Sequence, residues 1–163
     1  MLNKRIALAG FARTGKDEIG KILVAQFGYV RRCFGDIIKA QVSDLVMQEL
    51  GFRSDTENDD QKEKIRPLLE AWGDANYDGI MSEFFATLPE TCVNTRIVRI
   101  LEAQEWKRQG GEVWLVRRPG MGAATKWELN ALLDLHGAVG FDRTIDNDGD
   151  LKTLATKVHS LSQ

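Results

Sequence analysis

The chain has 163 residues, enough for one domain with a substantial core, and its 43% apolar and 28% charged residues are ordinary for a globular protein. A net charge of −2 supplies no basic field, so nucleic acid is not an expected partner. No apolar run reaches membrane-spanning length, and the amino terminus shows no secretory pattern, which argues against a membrane or secreted protein. Two cysteines, Cys33 and Cys92, lack metal-ligand spacing and fit a reducing compartment as small buried apolar side chains.

In chain order, the apolar run Ile6–Ala9 reads as a strand ending at Gly10. Gly15 and Lys16 follow, and Ile19, Ile22 and Leu23 then mark one face of a helix. Strand, glycine-bounded loop and helix with the spacing G-x-x-x-x-G-K form a phosphate-binding loop. Its main-chain N–H groups wrap a polyphosphate, Lys16 reaches the β- and γ-oxygens, and the helix N-terminus adds positive potential. Gly10, Phe11, Ala12, Arg13, Thr14, Gly15, Lys16 and Asp17 are therefore candidate nucleotide contacts. Asp17 stands where such loops usually carry a magnesium-binding Ser or Thr. It is either a Mg²⁺ ligand or the cap of the helix.

Beyond Gly28, the segment Tyr29–Phe34 reads as a second strand, and one helix is predicted from Gly35-Asp36 to Leu50. Ser54–Lys64 is polar and aperiodic and reads as a solvated connection. Two helices are predicted between Arg66 and Leu88, with Pro67 in the opening turn of the first. Cys92–Val98 and Val113–Val116 read as strands, Leu101–Gln109 and Lys126–His136 as helices. A short strand Arg143–Ile145 and a helix from Leu151 close the chain. The expectation is an α/β fold of three layers: a five-stranded parallel sheet covered on both faces, ligands at the carboxyl ends of its strands. A helical insertion over about 51–90 and a lid over about 119–137 complete a single domain.

Phosphoryl transfer needs cations around the moving group, a magnesium site and an acceptor pocket. Arg96 and Arg99 after the third strand, and Arg117 and Arg118 after the fourth, are the candidates to clamp phosphates. Arg31 and Arg32 at the second strand, with Asp36, Lys39 and Trp72 beyond it, are candidates for the acceptor side. Asp36 reads equally as a helix cap. Asp146-Asn147-Asp148-Gly149 makes a turn, or places Asn147 beside a nucleotide base. Glu128 and Asp134 read as surface charges, and exposed faces between Trp72 and Phe85 could pair in a homodimer.

Several pieces, in order, resemble the phage and bacterial deoxynucleoside monophosphate kinase family of P-loop kinases. They are Gly10–Asp17 with its Gly-Lys-Asp, Phe34-Gly35-Asp36 with Lys39, Arg66-Pro67-Leu68-Leu69-Glu70 with Gly73, Glu102-Ala103 through Gly110-Gly111, Val116–Gly120, and Ile145–Gly149 with Leu151. The resemblance implies transfer of the γ-phosphoryl of ATP to the 5′-phosphate of a deoxynucleoside monophosphate, with Mg²⁺ at Asp17 and Asn147 near adenine. It also implies small nucleotides as partners and a cytoplasmic location, that of the host if the gene is a phage's. Two places depart from the pattern. Asn94 replaces a carboxylate of the family's Asp-x-Arg, unless the alignment slips and Arg99 takes the arginine's place; Ala123–Glu128 replaces the expected lid motif. Another small-molecule kinase, such as one acting on dephospho-coenzyme A, and a non-catalytic nucleotide-binding protein are the alternatives.

Overall fold

The computed structural model describes residues 2–161. Five parallel strands form one sheet in the order β2-β3-β1-β4-β5: β1 Arg5–Ala9, β2 Val30–Arg32, β3 Cys92–Asn94, β4 Glu112–Arg117 and β5 Arg143–Asp146. Parallel strands need crossovers, and these are mostly helical: α1 Lys16–Phe27, α6 Ile100–Arg108 and α7 Lys126–Val139, with α8 Leu151–Ser160 after the last strand. Between β2 and β3 lie α2 Phe34–Gln41, α3 Ser43–Leu50, α4 Asp59–Ala75 and α5 Tyr77–Ala86.

The chain divides into two compact units, Met1–Arg32 with Pro89–Gln163, and Cys33–Leu88. In the first, Ile6, Leu8, Val93, Trp114, Val116 and Ile145 of the sheet meet Ile19 and Leu23 of α1 and Leu154 and Val158 of α8 in one core. α6 packs on β4 and α7, with Ala103, Trp106 and Leu135 buried. The inner strands are covered on both faces, which is why β1 and β4 carry apolar runs rather than alternations, while the edge strands β2 and β5 are largely polar. Helix α1 ends at Gly28, whose left-handed backbone brings the Tyr29 N–H back to the Leu23 carbonyl at 3.2 Å. Cys92 is buried, and burial raises its thiol above the ordinary range.

The third strand is shorter than Cys92–Val98, because the Asn94 Oδ1 accepts the Arg96 N–H at 3.1 Å and turns the chain. The Ile97 N–H still reaches the Leu8 carbonyl, at 3.1 Å.

The helical unit begins at Cys33, ahead of the expected 51, since α2 packs with α4 and α5. The single helix expected over 35–50 is two helices that bend at Val42, placing both Val42 and Val46 against Ile65. Helix α4 starts eight residues before Pro67. Asn58 caps it by accepting the Gln61 N–H at 3.1 Å, and Asp59 and Asp60 suit its positive end. An interior proline costs about 3 kcal/mol. Here Pro67 is exposed, while Ile65, Leu68, Leu69 and Trp72 pack around Val42 and Val46, which offsets that cost. Phe34 stacks on Phe84 at 3.9 Å, joining α2 to α5.

Leu23 is fully buried in the core between sheet and helices. Leu23→Ala is expected to lower unfolding stability by about 3 kcal/mol, read as a fall in the urea midpoint with an unchanged slope.

Candidate functional site

The segment Gly10–Lys16 leaves the carboxyl end of β1, flanked in the sheet by β3 and β4. Its backbone is left-handed at Gly10 (φ 143°), Arg13 (φ 62°) and Gly15 (φ 101°). Arg13 is the sole non-glycine residue among those described to hold a positive φ, a conformation that costs an L-residue roughly 1–2 kcal/mol. A Cβ on Gly10 would be driven into the Val116 carbonyl oxygen, and one on Gly15 into the Asn147 amide. Both glycines are thus required by close approach as well as by φ. The loop is held from inside: buried Thr14 donates from Oγ1 to the Phe11 carbonyl at 2.9 Å.

Asn147 follows β5. Its Nδ2 donates to the Thr14 carbonyl at 3.0 Å, and its own N–H to the Arg117 carbonyl at 2.7 Å. The amide that sequence placed either in a turn or beside a base is engaged with the Gly10–Lys16 loop and is buried.

Lys16 opens α1 and turns back over the loop, donating to the carbonyls of Gly10 (2.9 Å) and Phe11 (2.6 Å). Burial pushes its ammonium below the ordinary lysine value; the Asp17 carboxylate pulls it up, Arg96 pushes it further down, and Glu128 pulls it up. Asp17 is exposed in the first turn of α1, while Gly15 is the N-cap and no side chain caps the helix. The capping alternative for Asp17 is therefore not what the structure shows. An exposed carboxylate beside the loop fits Mg²⁺, which binds through one or two carboxylates plus phosphate oxygens and waters. Among the described residues no group of three His, Cys, Asp or Glu side chains is placed to hold an ion, so an all-protein cage is not the arrangement.

Of the arginines, Arg96 is the one that shares a field with Lys16 and Glu128. Arg99 instead sits at the N-cap of α6, its N–H directed at Glu102 Oε2 (3.3 Å), as is that of Val98. Arg117 pairs through Nε and Nη2 with both oxygens of Asp146, at 2.8 and 3.0 Å, across adjacent strands. That hydrogen-bonded pair raises the guanidinium pKa and lowers the carboxyl's. Arg118 is exposed and begins the turn closed by Met121 N–H on its carbonyl. A cavity of about 340 Å³ adjoins the loop, walled by Phe11, Val116, Arg117, Pro119, Leu132 and Asp146 among others.

Arg31 and Arg32 lie on the outermost strand, in register with Val93 and Asn94, so that β3 separates them from β1. Asp36, Lys39 and Trp72 belong to the helical unit. Cys33, not Asp36, is the N-cap of α2, and Asp36 occupies its first turn. The Lys39 carbonyl accepts from Ser54 Oγ at 2.7 Å, and Trp72 Nε1 donates to Gln41 Oε1 at 2.9 Å.

Sequence reasoning missed Glu128. It is the third residue of α7, its N–H bonded to Thr125 Oγ1 at 3.1 Å. Its Oε1 accepts the Ala12 N–H at 2.5 Å and its Oε2 the Ala124 N–H at 2.6 Å. Burial works against its charge, but those two N–H groups and the charges of Lys16 and Arg96 outweigh it and hold the carboxyl below the ordinary range. The available signal was Thr125-x-x-Glu128, a helix-start pattern that locates the carboxylate but not its partner.

No family model matches the sequence, and no match to it was found among curated proteins. Solved structures do match in fold. Shikimate kinase from Aquifex aeolicus is 13% identical over 97% of this chain and 96% of its own, with a TM-score of 0.53. Dephospho-CoA kinase from Campylobacter jejuni is 9% identical over 98% and 96%, TM-score 0.54. Shikimate kinase from Bacteroides thetaiotaomicron is 12% identical over 97% of each chain, TM-score 0.53. The chain has the α/β architecture of these P-loop kinases, along nearly its whole length.

Asn147→Ala is expected to lower stability by about 1–2 kcal/mol and to speed amide exchange across residues 11–15. Unchanged exchange there would return Asn147 to the role of a simple turn residue.

Proposed function

We propose that the protein is an ATP-dependent phosphotransferase acting on a small phosphorylated acceptor, a deoxynucleoside monophosphate in the first instance. The observation that carries this is the loop at the end of β1: left-handed at three residues, buttressed by Asn147, with Lys16 turned over it and Arg96 close enough to shift Lys16. Main-chain N–H groups and an ammonium on a helix N-terminus suit a polyphosphate tail. The adjoining cavity, walled by Phe11, Val116, Pro119 and Leu132, offers an apolar recess beside it.

In this reading Lys16 and the loop hold the β- and γ-phosphates, and Arg96 and Arg118 supply charge that grows more favourable as the γ-phosphoryl moves. Asp17 would hold Mg²⁺, which when bound neutralises phosphate charge. The acceptor phosphate is already anionic at neutral pH, so no general base is required. The choice of a nucleoside monophosphate rests on the order of the motif pieces, including Phe34-Gly35-Asp36, Lys39 and Arg66–Glu70 in the helical unit. The matched folds carry kinases with quite different acceptors by name, shikimate and dephospho-CoA, so both belong in the acceptor screen.

ADP release from ATP, measured with each deoxynucleoside monophosphate, shikimate and dephospho-CoA, is expected to rise sharply with one deoxynucleotide class. Stimulation by another acceptor would correct the substrate, and tight ATP binding without stimulated turnover would favour a binding protein. Lys16→Ala should reduce turnover about 100-fold or more with an unchanged far-UV spectrum; near-normal turnover would remove the loop from the reaction. Asp17→Ala should raise the magnesium needed for half-maximal rate roughly tenfold. An identical magnesium titration in that variant would show that Asp17 does not serve the ion.

A further inference from the structure

The carboxylate of Glu128 is an anion seated on a loop built to bind anions. Where Thr-x-x-Glu opens a helix, the glutamate ordinarily turns back to the N–H of its own N-cap residue. Glu128 reaches past it, one oxygen on Ala124 N–H and the other on Ala12 N–H, 116 residues away in sequence. A single carboxylate thereby ties the start of α7 and the segment before it to the phosphate loop. Lys16 and Arg96 add their field to the same group. In charge and in acceptor geometry it stands in for a phosphate oxygen.

From this we infer that Glu128 is an internal latch that competes with the phosphate tail of the nucleotide. It holds the Ala12 N–H and must give it up when a polyphosphate arrives, releasing Ala124 and the Gly122–Thr125 segment at the same moment. If the carboxylate stayed in place, it would repel the incoming phosphates at short range. The charge on Glu128 thus opposes nucleotide binding, and its displacement couples nucleotide occupancy to the freedom of the segment preceding α7. The inference rests on the proposed role of the loop in holding ATP.

The test is ATP affinity, measured calorimetrically with magnesium for wild type, Glu128→Gln and Glu128→Ala, together with amide-resolved hydrogen exchange of the wild type. Both variants should bind ATP more tightly, Glu128→Ala by about tenfold, the order expected for loss of a competing charge-assisted hydrogen bond at a partly exposed site. In the wild type, both Ala12 and Ala124 amides should be protected without nucleotide. Adding ATP should leave Ala12 protected and expose Ala124. Equal or weaker binding in both variants overturns the latch, and so does Ala124 protection that ATP leaves unchanged; the exchange measurement needs no variant to fold. Should neither wild type nor variants bind ATP at millimolar concentration, the loop's proposed role fails, and the latch with it.

Discussion

A loop that joins a buried strand to a helix through several sharp turns has to do so without leaving its own carbonyls unsatisfied inside the protein. In this chain that constraint falls on Gly10–Lys16. Gly10 passes so close to the Val116 carbonyl that no side chain fits, Arg13 accepts a left-handed backbone, and Gly15 makes room for Asn147. The two inward carbonyls that the turn creates, those of Gly10 and Phe11, receive the Lys16 ammonium, and the Thr14 carbonyl receives the Asn147 amide. The loop is therefore held by Lys16 from the first turn of α1, by Asn147 after β5, by Glu128 of α7 and by its own Thr14.

The parallel sheet makes this possible. With the order β2-β3-β1-β4-β5, the carboxyl ends of β3 and β4 flank that of β1, and β5 follows one strand further out. Arg96, Val116 and Asn147 arrive around the loop through that order alone. The charges that act there are mixed, the cations Lys16 and Arg96 together with the carboxylates Asp17 and Glu128. Two cations close together raise each other's energy, and a carboxylate lying on the loop relieves it. On the proposed role of the loop, a bound polyphosphate would do the same with more charge.

The helical unit follows a different logic. Its small core, Val42, Val46 and Ile65 with Leu68, Leu69 and Trp72 packed against it, is enough to keep α4 helical through an exposed proline. The bend at Val42 and the early start of α4 both serve that cluster. Packing of a few side chains overrode local preference at the bend and at Pro67, while the Asn58 cap fixed where α4 begins.

Much of the scaffold was legible in the residues. The apolar runs of β1 and β4, the periodicity of α1, α7 and α8, and the G-x-x-x-x-G-K spacing are local features, and local features depend only on neighbours within a few residues. The alternation of strands and helices, and with it the parallel sheet, came from the same source. The single helix expected over 35–50, the proline expected at a helix start and the length of β3 failed where a tertiary contact or a side-chain turn won over periodicity. What the folded chain alone decided was pairing at long range. Asn147 meets Thr14 across 133 positions and Glu128 meets Ala12 across 116, while Arg117 turns to Asp146 and Arg99 stays at a helix cap. Hydrophobic period and motif spacing place a residue at a strand end. Which partner it finds there is set by the order of strands, and that order is a property of the assembled sheet rather than of any segment in it.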